Sequence, residues 1–228
     1  METIVSIGFR VLARSHKISS DLVEKFRELP VANVSDGMQR LYAGGARLRP
    51  MHAGGFLAGP ALTVRVPAGD NLMLHKALQM IEPGDVVVVD AAGETRNAIT
   101  GELMMDIAKN KGAAGVVIYG AIRDSGYFAT RNFPIYACGV THRGPYRNGP
   151  GEINVPVSVD GMLINPGDLV IGDEDGVLCV PYAEADEIYR AGKAKLASET
   201  MARALTESGK LDKPWIDETL RKLNCEGV

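Results

Sequence analysis

The residues with the clearest chemical potential follow two short apolar runs in the first half of the chain. Asp90 comes directly after Val86–Val89, and Arg123 and Asp124 follow the second run. Between them, a helical pattern begins at Gly101–Met104. An arginine can bind a carboxylate through two hydrogen bonds, an aspartate can hold a divalent cation, and a helix start offers free N–H groups to an anion. Together these groups predict a site for a small, metal-chelating carboxylate compound.

The elements that must position these residues form a βαβ unit over residues 84–124, in which a glycine-containing loop is predicted between the first strand and the helix. Both apolar runs are too short for helices and too apolar for half-exposed strands, so we expect them to be buried parallel strands. A helix is predicted over about 102–110, with Leu103 and Ile107, and Met104 as a further candidate, on its inner face. In open α/β sheets the ligand crevice lies beyond the carboxyl ends of the strands. All three groups of candidate residues fall at that edge.

The whole chain limits the class of protein. Its 228 residues suffice for one domain with a well-buried core. The balance of 25 basic and 28 acidic residues gives no electrostatic reason to expect nucleic acid or a membrane surface as partner. No apolar run approaches the roughly 20 residues that span a bilayer, and the N-terminus lacks a signal-peptide cleavage site, so a cytoplasmic location is expected. The three cysteines favour neither a disulfide framework nor a zinc site.

The segments before and after the central unit carry fewer chemical signals. A half-exposed strand is predicted over Ala61–Val66, where apolar and polar residues alternate. A helix from Asp70 to about Ile81 contains His75, which we interpret as a surface or packing residue because no second histidine stands at a ligand spacing. The polar loop Thr141–Pro156 fits a lid, an oligomer contact or a plain connection.

Two acidic residues outside the central unit are weaker candidates. Asp36 lies in a short helix predicted over Val34–Tyr42, where an aspartate is more often a partner of the helix dipole than a catalytic group. Glu199 lies on a long amphipathic helix predicted from Ala183 to about Glu207. Such a helix suits packing across the sheet or against another subunit, so Glu199 reaches a site only if the protein assembles.

Several common enzyme classes lack their motifs here. Neither G-x-G-x-x-G after a first strand nor G-x-x-x-x-G-K-[ST] occurs, so no nucleotide cofactor is expected. G-x-S-x-G and H-E-x-x-H are also absent, which removes the common serine-hydrolase and zincin classes. The lysines fall in predicted helices, helix ends or polar tails, so no Schiff-base lysine is expected. If the protein stabilises a carbanion, a metal is the favoured electron sink.

Three segments taken together resemble one family: GDVVVVD, GELMMDIAKNKGAAGVVIYGAIRD and RGPYRNGPGEINVPVSVDGMLINPGDLVIGDEDGVLCVP. Their combination resembles the RraA-like family, which joins 4-hydroxy-4-methyl-2-oxoglutarate aldolases with regulators of ribonuclease E activity. The similarity covers about residues 32–181 of a single domain over 1–228, with a helical C-terminal extension over 183–228. It implies an α/β fold, a β/β/α swivelling-type sandwich around the central βαβ unit. It also implies a homotrimer or homohexamer with sites at subunit boundaries.

The resemblance also implies roles for the central residues. In the aldolases of this family, the backbone matching Gly101–Met104 and the arginine matching Arg123 bind pyruvate, and the aspartate matching Asp124 holds Mg²⁺ or Mn²⁺. The regulator branch typically lacks that aspartate, so its presence favours an enzyme. The implied reaction is class II cleavage of 4-hydroxy-4-methyl-2-oxoglutarate or 4-carboxy-4-hydroxy-2-oxoadipate to pyruvate and a 2-oxo acid. Oxaloacetate decarboxylation is expected as a side activity.

The general base and the alternative function stay open at this point. Glu102, acting through a water molecule, is one candidate base, but it is equally a dipole partner in the first helical turn. Asp36 and Glu199 of a neighbouring subunit are weaker candidates, and Asp90 is expected to be structural. The alternative is a non-catalytic regulator that controls ribonuclease E-type RNA degradation by binding other proteins. It predicts no metal-dependent chemistry.

Overall fold

A computed structural model describes residues 6–228; residues 1–5, part of the N-terminal stretch assessed for a signal peptide, lie outside the described residues. The strands are β1 (Phe9–Val11), β2 (Arg49–Pro50), β3 (Leu57–Arg65), β4 (Val86–Thr100), β5 (Gly115–Ile122), β6 (Ile135–Val140), β7 (Gly151–Ile153), β8 (Val157–Val159), β9 (Met162–Ile164), β10 (Leu169–Gly172) and β11 (Val177–Val180). The helices are α1 (Ser20–Phe26), α2 (Val31–Gly37), α3 (Leu72–Met80), α4 (Glu102–Asn110), α5 (Ser125–Phe128), α6 (Ala185–Glu207) and α7 (Trp215–Lys222). Within residues 6–228, none of these helices combines the length and apolarity that a bilayer crossing requires.

A mixed sheet forms the centre of the molecule. Its strands follow the spatial order β1-β7-β3-β4-β5-β6-β2, and β3 also pairs with β10, which pairs with β11. The four central strands β3, β4, β5 and β6 run parallel. Strands β8 and β9 form a separate, two-stranded antiparallel sheet. The predicted βαβ unit of β4, α4 and β5 therefore lies in the middle of the sheet.

The valines of β4 explain why the sheet is covered on both faces. Alternate residues of a strand point to opposite faces. Val86 and Val88 pack in the apolar cluster that includes residues of α1 and α2, whereas Val87 and Val89 pack in the cluster that includes residues of α3 and α4. All four are fully buried. The expected α/β sandwich around a buried parallel centre is confirmed.

Two expectations about the strands are wrong. The strand predicted over Ala61–Val66 as half-exposed is β3, which is buried at every residue except Arg65. Its polar neighbours misled the prediction, because β3 pairs on both sides and apolar clusters cover both of its faces. Strand β4 continues past Asp90 to Thr100, with three irregularities in its register against β5. The segment predicted as a loop therefore carries the sheet to the start of α4.

The helix predicted around Asp36 also has different bounds in the structure. The helix expected over Val34–Tyr42 is α2, which spans Val31–Gly37. Gln39 and Arg40 adopt positive φ angles of 56° and 64°, in the left-handed region. Because that conformation interrupts right-handed helical geometry, the chain leaves the helix before Tyr42.

The buried carboxylate of Asp85 is expected to make a large contribution to stability. Its side chain is fully buried, and Oδ1 lies 2.6 Å from Arg14 Nη1 and 3.3 Å from Lys17 Nζ. Asp85→Ala would leave the Arg14 guanidinium, whose side chain is 9% exposed, without its main partner. We expect the free energy of unfolding, measured by urea denaturation, to fall by about 3 kcal/mol. Glu82→Ala removes a 60% exposed partner of Arg14 and should cost less than about 1 kcal/mol. Equal losses in both variants would contradict this role for Asp85.

Candidate active site

A cleft of about 500 Å³ opens where β4 ends and α4 begins. The stretch Ile99–Met104 lines it together with Arg123 and Asp124, which follow β5. The structure therefore brings together the helix start and the Arg-Asp pair. Asp90 does not line this cleft; its carboxylate accepts a hydrogen bond from the backbone N–H of Ala92 at 3.0 Å.

The carboxylate of Asp124 turns back towards the start of α4. Its Oδ2 accepts a hydrogen bond of 3.0 Å from the backbone N–H of Glu102. Asp124 immediately precedes α5 but makes no side-chain cap there, and its backbone is left-handed at φ 60°. Arg123 Nε lies 3.7 Å from Asp124 Oδ2, and both side chains remain partly exposed. A carboxylate and a guanidinium group are thus held together at a helix start, and both are accessible to a ligand.

Gly101 allows this close approach. It is the N-cap of α4, with φ −152° and ψ −170°, an extended conformation that any residue can adopt. A Cβ at this position would overlap Asp124 Oδ2 and would lie only 2.9 Å from Arg123 Cγ. Glycine is required here because of the space that Arg123 and Asp124 occupy.

The start of α4 offers backbone donors to the cleft. Gly101 provides no side-chain cap, and the first helical hydrogen bond runs from Met105 N to Gly101 O at 3.3 Å. The N–H groups of Leu103 and Met104 precede that bond and have no acceptor within the helix. Two unpaired N–H groups at the positive end of a helix form a binding position for a carboxylate.

The predicted inner face of α4 is wrong. Leu103 is 72% exposed and Ile107 is 46% exposed, whereas Met105 and Ala108 are buried against the sheet. Met104 is only partly buried, and it packs against the apolar cluster on this face of the sheet. The apolar residues of α4 surround more than half of the helix, so periodicity alone could not choose which side faces inwards. Leu103 and Ile107 instead lie on the rim of the cleft.

The carboxylate of Asp124 is the candidate protein ligand for a divalent cation in this cleft. Asp124 Oδ1 makes no hydrogen bond within residues 6–228, and the same part of the chain contains no group of three or more potential metal-ligating side chains. Mg²⁺ commonly keeps several waters and binds one or two carboxylates together with substrate oxygens. Asp124 therefore fits a hydrated Mg²⁺ or Mn²⁺ that a chelating substrate completes. It does not fit zinc, which takes three or four protein ligands.

The two weaker acidic candidates lie together but away from this cleft. Lys195 Nζ lies 3.0 Å from Asp36 Oδ2 and 3.4 Å from Glu199 Oε1. Asn33 Nδ2 donates a hydrogen bond of 2.7 Å to Glu199 Oε2. The hydrogen bond from Lys195 is the main cause that lowers the pKa of Asp36. Within one chain, neither carboxylate lines the cleft.

The cleft wall formed by α3 and the loop before β7 was not predicted from the sequence. Asn71 and His75 line the cleft, and so does Arg147 from the loop predicted over Thr141–Pro156. Burial, and next the charge of Arg147, lower the pKa of His75. The i, i+4 spacing of Asn71 and His75 places them on one face of a helix and was the available signal. Arg147 had no local signal, because only tertiary contacts bring its loop to the cleft.

Comparisons with known proteins agree with this fold. The profile of the RraA-like family, described as Aldolase/RraA, matches residues 31–179. A protein of Halalkalibacterium halodurans, provisionally named a 4-hydroxy-4-methyl-2-oxoglutarate aldolase, is 39% identical over 189 residues, which are 82% of this chain and 90% of that protein. The 4-hydroxy-4-methyl-2-oxoglutarate aldolase of Thermus thermophilus is 33% identical over 162 residues, covering 71% of this chain and 89% of that protein.

A solved structure of a member of a ribonuclease-inhibitor family is also similar to this chain. RraAS2 of Streptomyces coelicolor, described as an unusual member of the RNase ES inhibitor RraA protein family, superposes with a TM-score of 0.75 at 28% identity. The match covers 82% of this chain and 98% of the Streptomyces chain. On the profile match and on both sequence relatives, this chain belongs to the RraA-like family.

Proposed function

We propose that this protein is a divalent-metal-dependent class II pyruvate aldolase. Its substrates would be 4-hydroxy-4-methyl-2-oxoglutarate or 4-carboxy-4-hydroxy-2-oxoadipate, and its products pyruvate and a 2-oxo acid. The observation that carries this proposal is the convergence of the α4 start, Arg123 and Asp124 in one cleft, with Asp124 hydrogen-bonded to the helix start at 3.0 Å. The relatives named as aldolases support the same chemistry.

Each part of the site has a role in this reaction. The free N–H groups of Leu103 and Met104 bind the carboxylate of the pyruvate portion. Arg123 neutralises the charge that develops on the same portion as the C–C bond breaks. Asp124 would hold the Mg²⁺ or Mn²⁺, which supplies Lewis-acid stabilisation of that charge. Loss of CO₂ from oxaloacetate leaves the same pyruvate fragment, so oxaloacetate decarboxylation follows from the same arrangement.

Glu102 is the proposed base within the chain. Glu102 lines the cleft, its backbone N–H donates to Asp124, and its side chain makes no ion pair within the described residues. Through a bound water molecule, Glu102 would take the proton from the 4-hydroxyl group as the C3–C4 bond breaks and its electrons pass to the pyruvate fragment. The same water would then return a proton to C3, which becomes the methyl group of pyruvate. Glu102→Gln tests this role, because it retains the helix start and removes the basic oxygen.

A homotrimer or homohexamer is part of the proposal. Leu103 and Ile107 expose apolar surface at the rim of the cleft, where a neighbouring subunit would cover it. In such an assembly, the neighbouring copies of Asp36 and Glu199 would be the additional acidic groups. Size-exclusion chromatography with light scattering distinguishes monomer, trimer and hexamer.

Oxaloacetate provides a direct test. We expect the protein to form pyruvate from oxaloacetate in the presence of Mg²⁺, faster than Mg²⁺ alone, in an assay coupled to lactate dehydrogenase. EDTA should remove the activity and excess Mg²⁺ should restore it. The same assay with 4-hydroxy-4-methyl-2-oxoglutarate tests the aldol cleavage itself, and a panel of other 2-oxo acids tests the substrate range.

The second candidate function is a non-catalytic regulator of ribonuclease E-type RNA degradation. The Streptomyces relative, described as a member of an RNase inhibitor family, favours it. It predicts direct binding to a ribonuclease and pyruvate formation no faster than the Mg²⁺ blank. That pair of results would overturn the aldolase proposal.

A further inference from the structure

One wall of the cleft contains an unusual concentration of unpaired polar atoms. This wall, called the α3 wall below, is formed by Asn71, His75, Thr100 and Arg147. Within residues 6–228, five buried side-chain polar atoms have no hydrogen-bond partner, and three of them belong to this wall: Asn71 Oδ1, His75 Nε2 and Thr100 Oγ1. Buried polar atoms are normally paired. This wall therefore holds hydrogen-bonding capacity that no group of the described residues uses.

The orientations of these groups define what they can bind. Asn71 Nδ2 donates to Ile99 O at 2.9 Å, which fixes its amide and leaves Oδ1 as an acceptor. Burial, and next the charge of Arg147, lower the pKa of His75 and so favour its neutral imidazole. The tautomer that carries the proton on Nε2 can donate a hydrogen bond from that atom. Its Nε2 is enclosed in this arrangement, while the partly buried residue as a whole lines the cleft.

Arg147 is held at this wall by the backbone on both sides of it. Tyr146 O accepts a hydrogen bond of 3.0 Å from Asn71 N. The N–H of Asn148 donates to the buried carboxylate of Asp70 at 2.6 Å. Arg147 therefore stands at a fixed position beside α3, and it forms no salt bridge with any carboxylate of residues 6–228.

We propose that Arg147 and His75 form a second carboxylate subsite, which binds the distal carboxylate of a dicarboxylic 2-oxo acid. The inference rests on the proposed function, in which the α4 start and Arg123 bind the first carboxylate. The α4 start, Arg123 and Arg147 line the same cleft, and the proposal places both anions of one substrate in it. Two cationic side chains in one cleft match the two carboxylates of such a substrate.

The α3 wall also suits the rest of the leaving fragment. Arg147 and His75 give this part of the cleft a charged and polar lining. A monocarboxylic analogue would place a methyl group against these polar atoms and leave them unpaired, which is how binding sites reject isosteres that lack a polar group. The wall would therefore select substrates whose second product is a 2-oxo acid rather than a simple ketone or aldehyde.

The test compares two ligands that differ only at the distal carbon and that lack the 4-hydroxyl group needed for cleavage. We expect the protein with Mg²⁺ to bind 2-oxoglutarate about 10- to 100-fold more tightly than 2-oxopentanoate in isothermal titration calorimetry. Arg147→Met should remove most of this preference and leave the affinity for 2-oxopentanoate unchanged. His75→Gln should reduce the preference severalfold, because it removes one hydrogen bond and no charge.

Arg143→Met is the matched control. Arg143 belongs to the same loop, carries the same charge and lines a different depression, beside Glu94 and Arg96. Arg143→Met should retain the preference for 2-oxoglutarate over 2-oxopentanoate. If it loses as much of this preference as Arg147→Met does, the preference arises from the overall positive charge of the loop and the proposed subsite is wrong. Equal affinities of the unmodified protein for the two ligands, or no binding of either, would also overturn it. Discrimination between the ligands without any pyruvate from oxaloacetate would retain the subsite and reject the aldolase proposal.

Discussion

Asp124→Asn is expected to lower Mg²⁺-dependent pyruvate release about a thousandfold while leaving the fold intact. The loss corresponds to about 4 kcal/mol of transition-state stabilisation, a value in the range of Lewis-acid contributions. Asparagine is the informative replacement for two reasons. It tolerates the left-handed backbone at φ 60°, and its side-chain oxygen can still accept the hydrogen bond from Glu102 N. The substitution therefore removes the charge and preserves the helix start.

Three measurements separate the metal role from a structural one. The melting temperature of Asp124→Asn should stay within a few degrees of the parent value. The free energy of unfolding of Asp124→Ala should be about 1 kcal/mol lower than that of Asp124→Asn, because alanine is disfavoured in the left-handed region. Mn²⁺ affinity, followed by electron paramagnetic resonance, should fall in both variants. Full turnover with unchanged Mn²⁺ affinity in Asp124→Asn would remove Asp124 from the metal site.

The sequence predicted the centre of this protein because local patterns determine it. Four consecutive valines can only be a doubly buried strand at that length, and the topological rule for parallel strands then placed the α4 start and Arg123-Asp124 at one edge. The resemblance to a family added the roles that topology leaves open. These roles of Arg123, Asp124 and Glu102 stay predictions until the variants are measured.

What the sequence could not predict depends on tertiary contacts. Helix α4 buries Met105 and Ala108 and so exposes Leu103 and Ile107. Its start packs against Arg123 and Asp124, which lie more than 20 residues away in the chain. Likewise, Arg147 reaches the cleft only because the backbone around it is hydrogen-bonded to residues at the start of α3. No local periodicity encodes either arrangement.

Gly101→Ala is expected to reduce kcat/KM about a hundredfold with little change in stability. The added Cβ would overlap Asp124 Oδ2 and would lie 3.0 Å from Arg123 Nε, so both side chains must move. A displacement of about 1 Å in a catalytic group commonly costs about this factor. Both side chains are partly exposed and can move without disturbing the core, and the extended backbone of Gly101 accepts alanine. The melting temperature should therefore change by no more than about 3 °C.

Gly126→Ala is the control for this substitution. Gly126 lies in α5, two residues after Asp124, and a Cβ there meets no atom within 4 Å. It should retain the parent activity, because alanine in a helix removes no contact and limits only the unfolded chain. If Gly101→Ala also retained full activity, the close packing of the α4 start against Arg123 and Asp124 would have no part in catalysis. The proposed roles of both side chains would then be wrong, since neither could hold its position in that variant.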